Sequence, residues 1–478
     1  MEKRFSLIII ALCLPFVLWA VCGILPTFDD YTSLQSPWWV QIANPGYFFP
    51  DSVRRPFDAL LGAIVGWQPA LFPTLNHVLI ILGHTANAVL VYVLCRRLQL
   101  GATATNIATL FFFFSPATLG ATLACDGFNQ TCAQLWGLLA LWTYLHRHGG
   151  SLWLLCVVMA VLSKENGLAW AVVPPLVAYT FQLTSRRKAI HDTCKGLLLA
   201  AAYVAVFATL AYTGMLKYSG EYSETTLLSH VKDFVQLMVY TWVPLDYMSA
   251  VYAPTRNLTI VAITALMSLP FLLILAIRLW QTGMRRQLLL VACFFILVSP
   301  HLITVVSIMH NYAALSVAAV IVAVLLSSHP SGSKLFTNFN LQSLLFTLYL
   351  AAALFTDVHH YLAARDSGLL GKHLAMQAIE AADRPLQRAF VISIDDPEEP
   401  QYSNFCVRPA DAFAWGLSVR HYTGYAWKTA FTEAQFDHYD PGQVKAVADS
   451  ALHAGCEAVW VVGHKGDSLQ VIVLSEIP

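Results

Sequence analysis

A mainly α fold is the class this sequence predicts: a polytopic transmembrane helix bundle followed by a small α/β domain. Three observations predict it. Of 478 residues, 57% are hydrophobic and only 12% charged, with a mean hydropathy of +0.59; a soluble domain of this length cannot hide that much apolar surface. The apolar residues gather in about eleven runs of roughly bilayer-spanning length. After residue 362 the runs stop, and the strand and turn signals of an ordinary water-soluble domain begin.

The runs lie at 5–25, 73–95, 103–123, 128–146, 151–163, 167–184, 195–215, 257–280, 287–308, 311–328 and 341–361. The first follows a basic start, Lys3-Arg4, with no small-x-small cleavage site before Asp29, so an uncleaved helix is expected. The run at 151–163 is short for a crossing and calls for tilt or sharing with its neighbour. The stretch 26–72 is rich in aromatics, as in Pro37-Trp38-Trp39 and Gly46-Tyr47-Phe48-Phe49, and reads as short helices along the outer membrane surface. Phe234 to Val243 reads as a second interfacial or re-entrant piece.

Basic clusters occupy alternate connections: Lys3-Arg4, Arg96-Arg97, Arg147, Arg186-Arg187-Lys188, Arg285-Arg286 and Lys334. The positive-inside rule then expects a cytoplasmic N-terminus and, with an odd count of spans, an extracytoplasmic C-terminus. Arg54 and Arg55 break the alternation, in a long loop where the rule is weaker. The same count places 26–72, Asp126, the Ser163-Lys164-Glu165-Asn166 turn, 216–256 and His310-Asn311-Tyr312 outside. The expected setting is a bacterial inner membrane.

Residues 1–362 form the expected bundle and 363–478 the expected extracytoplasmic α/β domain. In the latter, Ala389 to Ile394 reads as a buried strand. Asp440 and Pro441 open a helix that Gly455 closes. Val459 to Val462 and Gln470 to Leu474 flank a hairpin turn. The 28 basic and 28 acidic residues balance, so bulk charge gives no reason to expect nucleic acid as a partner. Of ten cysteines, Cys125 with Cys132 and Cys406 with Cys456 stand in outer segments, where disulfides and free thiols are both open readings. No Cys/His spacing suggests a structural zinc site.

Polar residues recur at the outer ends of the spans: Asp29 and Asp30, Arg54 and Arg55, Asp126, Lys164 and Glu165, His301, His310 and Tyr312. A helix bundle gathers such ends together. Cations there suit phosphate oxygens, and a carboxylate can take a proton from a hydroxyl. Each residue also has a plainer reading. Arg54 and Arg55 would snorkel to headgroups, Lys164-Glu165 would cap a turn, and Asp126 would cap the next helix. His77, His84 and Asn87 share a helix face and read as interhelical hydrogen-bonding groups. Asp357, His359 and His360 read as a helix-end cluster rather than a metal site. Asp29 with Asp30 is the pair least easily explained that way, because like charges repel when partly desolvated. Asp30, further from the membrane core, is the expected base.

Several of these residues fall in motifs. Arg55-Pro56, Asn76-His77, His84-Thr85-Ala86-Asn87-Ala88-Val89-Leu90-Val91-Tyr92, Phe114-Ser115-Pro116 with Asp126, and Leu162-Ser163-Lys164-Glu165-Asn166-Gly167 follow one another in order. Their order resembles the N-terminal half of the GT-C glycosyltransferases. The resemblance is greatest to the tetratricopeptide-containing O-mannosyltransferases and their bacterial relatives, with the Ser-Lys-Glu turn the most specific match. His310-Asn311-Tyr312-Ala313-Ala314-Leu315-Ser316 resembles a later family motif from which the family's Arg is missing. The likeness covers about two-fifths of the chain by motif order alone, and no tetratricopeptide repeats are present.

The resemblance implies an integral membrane enzyme that moves a sugar from a polyprenyl-phosphate carrier to a glycan, lipid or protein acceptor on the outer or lumenal face. It implies that Asp30 or Asp29 is catalytic. The donor would be bound by Arg54, Arg55, Asp126, Lys164, Glu165, His301, His310 and Tyr312. Some members use a divalent ion (Mg or Mn) and others none, so the resemblance leaves a metal open. Two rival readings stand beside it: a transporter or flippase of a lipid-linked sugar, and a non-catalytic assembly subunit with the same fold. Transporters place charges near the midplane on broken helices, whereas these lie at the outer edge. Sugar transfer by the purified protein separates the enzyme from both.

Overall fold

The computed structural model describes residues 4–34, 55–147, 150–213, 226–246, 249–250, 257–281, 284–302, 308–327, 339–382, 384–395, 409–424, 426–427, 429–465 and 468–473. Arg54, Cys406, the aromatic stretch 35–53 and the Gly466-Asp467 turn lie outside the described residues. Helix predominates, with one four-stranded sheet near the C-terminus.

Among the described residues five helices are long and apolar enough to cross a membrane: Thr74–Arg97, Arg186–Leu210, Leu258–Gln281, Met309–Ser327 and Leu341–Ala382. Ala102–Phe113 and Pro116–Thr122 would add a sixth as one span bent by 46°. The helices Phe5–Val21, Pro56–Trp67, Leu152–Ser163 and Gln287–His301 are apolar but shorter. An apolar run and a helix are therefore not the same length here. The run at 167–184, for example, divides into a 3₁₀ stretch, Glu165–Ala171, and an eight-residue helix, Val173–Thr180, with Pro174 and Pro175 in its first turn.

The Tyr312–Ser327 helix runs through the centre of the bundle and is buried from Tyr312 to Leu326. Its alanines (313, 314, 318, 319 and 323) are buried in the main core against Phe111, Phe112, Tyr144 and Trp153. Small side chains let neighbouring backbones approach, the usual basis of helix packing in lipid.

The helix Phe339–Ala382 is 44 residues long, about 66 Å at 1.5 Å per residue. It runs unbroken through residue 362, where the composition changes. Tyr361, Ala363 and Ala364 pack with Val21, Ile24 and Ile81 of the bundle. Gly368 lies so close to Leu25 that an added Cβ would stand 2.5 Å from its carbonyl oxygen. Further along, Leu374, Ala375 and Ala378 form the floor of the C-terminal sheet. Asp357, His359 and His360 are therefore mid-helix rather than at a helix end. His359 Nδ1 meets the buried carboxylate of Asp246, and Ser249 donates its amide (3.2 Å) and hydroxyl (3.1 Å) to the same group.

The sheet has the order β2-β1-β3-β4, with β1 Arg388–Ile394, β2 Ala430–Phe436, β3 Ala458–Lys465 and β4 Ser468–Val473. β1 pairs in parallel with β2 and β3, and β3–β4 is an antiparallel hairpin. Alternate residues face opposite ways. Val391, Trp460 and Val462 pack on the long helix, while Ile392, Val459 and Val461 pack on Val444, Ala448 and Ala451 of the Pro441–His453 helix. Asp440 caps that helix by accepting from the amides of Gly442 (2.8 Å) and Gln443 (3.2 Å). Gly455 leaves it in the left-handed region at φ 87°.

Candidate functional site

The site is built where the first helix ends. Phe28–Leu34 is a 3₁₀ stretch with both acids in its first turn. One oxygen of Asp30 accepts the amide of Thr27 at 2.9 Å, and the other accepts the amide of Cys125 at 2.6 Å. Asn76 holds the other side of the same residue, donating to the Cys125 carbonyl at 3.1 Å. Cys125 is thus fixed at both its N–H and its C=O, and the next residue, Asp126, is set in place. Cys125 Sγ lies 3.4 Å from His77 Nε2, while Ser163 donates to Cys132 Sγ at 3.3 Å. Both cysteines are free thiols with different partners.

The two acids differ in setting. Asp30 is 5% exposed and its oxygens serve the backbone. Asp29 is exposed. Neighbouring protein partly desolvates the Asp29 carboxyl, and the charges of Asp126 and Asp411 act on it too; together they raise it to about 6. Burial, then Asp126, raises Asp30 as well.

A belt of charge adjoins the pair. Arg55 grips Glu165 with a two-nitrogen fork, Nε at 3.1 Å and Nη2 at 2.8 Å from Oε2. Pro56 starts a helix directly after Arg55, and Asp58 stands one turn on. Asp58 accepts from Asn129 at 3.0 Å. Burial raises it to about 6, against the Asn129 hydrogen bond and the pull of Arg55 and Lys164. Burial also raises Asp126, opposed by Lys164 and Arg55. One Asp126 oxygen is buried with no hydrogen-bond partner among the described residues. Lys164 is lowered to about 8, by burial first and then by Arg55, and its Nζ approaches Met309 Sδ at 3.9 Å.

His301 and His310 stack with ring centroids 4.3 Å apart and planes 18° from parallel. Asn166 Nδ2 lies 3.1 Å from His301 Nε2 and donates to Gln130 Oε1 at 3.2 Å. Through Met309, beside His310, this pair adjoins Lys164. Tyr312 does not join them. It is wholly buried, with its hydroxyl 2.8 Å from His84 Nδ1 and accepting from Asn87 at 3.2 Å. His84 Nε2 lies 3.0 Å from the Phe113 carbonyl. A carbonyl only accepts, so Nε2 carries the proton and Tyr312 donates to Nδ1. Tyr312 thus belongs to an interhelical network with His84 and Asn87.

The structure therefore brings together Asp29, Asp30, Arg55, Asp126, Lys164, Glu165, His301 and His310. Sequence reasoning missed Asp58, Asn129 and Gln130. The spacing of Asp58 three residues after Arg55, on a helix begun by Pro56, was the available signal. It also missed Asp411, which the C-terminal domain brings within electrostatic reach of Asp29. Among the described residues no three His, Cys, Asp or Glu side chains are placed to hold a metal ion together.

The C-terminal domain closes one side of this region. Ala414, with Leu417 and Tyr422, shares an apolar cluster with Tyr31, Leu61, Phe72 and Cys125, and Tyr31 donates to Tyr422 across the junction at 3.1 Å. No known family profile matches the sequence, and no curated protein does. Among solved structures, the apo crystal structure of the Archaeoglobus fulgidus oligosaccharyltransferase is similar at a TM-score of 0.44 and 14% identity, over 96% of this chain and 70% of that chain. At that similarity the comparison assigns this chain no activity.

Proposed function

We propose that the chain is an integral membrane glycosyltransferase that moves a sugar from a polyprenyl-phosphate-linked donor to an acceptor hydroxyl on the outer face of its membrane. The observation that carries this reading is that Asp126, held beside the acidic pair through Cys125, acts electrostatically both on the exposed Asp29 carboxyl and on Lys164, next to which His301 and His310 stack. The motif resemblance points the same way. A bacterial inner membrane, with the N-terminus cytoplasmic and the C-terminus outside, is the orientation that fits the charge alternation.

In this reading Asp29 accepts the proton of the acceptor hydroxyl as its oxygen bonds to the anomeric carbon. The bond from that carbon to the phosphate oxygen breaks, and the polyprenyl phosphate departs with the electron pair. Lys164, as an ammonium, steadies the phosphate charge, and the imidazoles donate to its oxygens. Arg55 is committed to Glu165 and orients the turn that carries Lys164, while Asp58 and Asp126 bear on the Lys164 charge. Asp30 holds the loop that presents Asp126. A base with a carboxyl near 6 is ionised at neutral pH yet more basic than a solvent-exposed Asp, as general-base catalysis prefers.

The test is sugar release from a polyprenyl-phosphate hexose by the purified protein in lipid, with Asp29→Asn as the control. Transfer that depends on Asp29 supports the enzyme. Movement of the intact donor across the bilayer with no cleavage would establish the transporter instead.

A further inference from the structure

The C-terminal domain sends one large side chain to the Asp29 site. In the turn Asp411–Gly416, Phe413 and Ala414 are buried, while Trp415 is 51% exposed. The backbone there is left-handed at three residues in succession, φ 46° at Ala414, 54° at Trp415 and 87° at Gly416. Such geometry is unfavourable for a non-glycine residue and persists only where surrounding structure enforces it. Gly416 tolerates it, and also lies against Phe431, where a Cβ would stand 2.0 Å from the ring. The Gly416 amide (2.8 Å) and the Ser418 hydroxyl (3.1 Å) both donate to the Phe413 carbonyl and lock the turn.

The ring so presented lies 4.6 Å, centroid to centroid, from Phe28, the residue before Asp29. Phe28 is itself at φ 20°. Asp411, at the start of the same turn, is buried, and its charge raises the Asp29 carboxyl. One turn of the outer domain therefore brings an aromatic face to the residue before the proposed base.

Resting on the reading of Asp29 as the base, we propose that Trp415 forms the aromatic wall of the acceptor subsite and that the acceptor is a neutral saccharide. An indole face is electron-rich, and the axial C–H groups of a pyranose ring carry partial positive charge and apolar surface that match it. The Asp29 carboxylate, next in sequence to the Phe28 that the ring stacks on, accepts hydrogen bonds from hydroxyls, of which a sugar offers several. A cationic ligand would also favour an aromatic face beside carboxylates. It would, however, pull the Asp29 carboxyl down and weaken it as a base, whereas a neutral polyol leaves it basic. The saccharide is the ligand compatible with both functions of the site.

Binding of a panel of neutral hexose and N-acetylhexosamine disaccharides to the full-length protein in nanodiscs tests this apart from activity. Trp415→Asn is the informative change, since Asn accepts the left-handed backbone and removes only the ring. Trp415→Tyr keeps an aromatic face. The expected result is millimolar or tighter binding of at least one disaccharide, weakened at least tenfold by Trp415→Asn and within about threefold for Trp415→Tyr, with binding of polyprenyl-phosphate hexose unchanged. In transfer assays Trp415→Asn should raise the acceptor KM with kcat held. Absence of disaccharide binding, binding indifferent to Trp415→Asn, or Trp415-dependent binding of a Ser/Thr peptide or a quaternary ammonium salt instead would each overturn the proposal. If Asp29→Asn abolishes transfer while Trp415→Asn changes neither binding nor KM, the subsite falls and the glycosyltransferase reading stands. If disaccharide binding depends on Trp415 but no donor is cleaved, the subsite stands and that reading falls.

Discussion

Asp30 accepts the backbone N–H of Cys125 at 2.6 Å, fastening together two loops 95 positions apart. Its second oxygen holds Thr27 at 2.9 Å. The first prediction follows from the need for acceptors on both oxygens. Asn has the shape of Asp but accepts on one atom only, so Asp30→Asn turns an NH₂ against a backbone N–H. A buried donor left unpaired costs about 1–3 kcal/mol. Asp30→Asn should melt measurably earlier than the parent protein, and Asp29→Asn should not. Equal melting of the two variants would show that Asp30 is no clasp.

Asp29→Asn should lower turnover by a factor of about 10² to 10⁴, the usual contribution of a general base, with donor affinity retained. The Asp29 carboxyl stands at about 6. Its active form is the ionised one, present above that pH and lost as pH falls through it. The acid limb of the parent kcat/KM profile should therefore fall near pH 6 and vanish in the residual rate of the variant. A limb that stays in Asp29→Asn would assign it to another group.

Lys164 is expected to bind the donor phosphate as an ammonium. With its amine lowered to about 8, the cation is present below that pH and is lost as pH rises through it. Donor affinity should decline between about pH 7.5 and 9 in the parent protein. Lys164→Arg, always charged, should show no such decline, and Lys164→Ala should bind weakly throughout. Isothermal titration at several pH values decides it. A parent affinity that stays level to pH 9 argues that the phosphate rests on other groups.

Tyr312→Phe removes the hydroxyl that joins His84 to Asn87. Both partners are buried, and leaving His84 Nδ1 and one Asn87 N–H unpaired should cost about 1–3 kcal/mol. Thermal unfolding in detergent should report that loss, with donor affinity within twofold of the parent. A large fall in donor affinity with unchanged stability would return Tyr312 to the donor site.

What was legible in the sequence was local. Asp440, Pro441 and Gly455 announce the ends of one helix because capping is chemistry among near neighbours. The pairing of Asp29 with Asp30 was legible too, and so was the interhelical use of His84 and Asn87. The burial of Asp30 was not, because one of the amides it holds belongs to Cys125, far along the chain. The Tyr312 network was not legible for the same reason, since its partners stand more than 220 positions earlier. The strand Ala430–Phe436 escaped notice because it is a mostly exposed strand with polar residues, and its parallel partner lies about 40 residues away. Asp58 was missed because only folding puts Asn129, Lys164 and Asp126 around it.

The helix Phe339–Ala382 has a mechanical consequence. A polypeptide joint between two bodies normally contains a loop that absorbs rotation, and this junction is spanned instead by one stiff rod with no proline. Any tilt or axial twist imposed on the rod's lipid-embedded half is delivered whole to the layer of side chains that supports the sheet, and so to the turn that bears Trp415. Bilayer thickness, which sets the tilt of a long apolar helix, thereby becomes a variable that acts on the gap between Trp415 and Phe28.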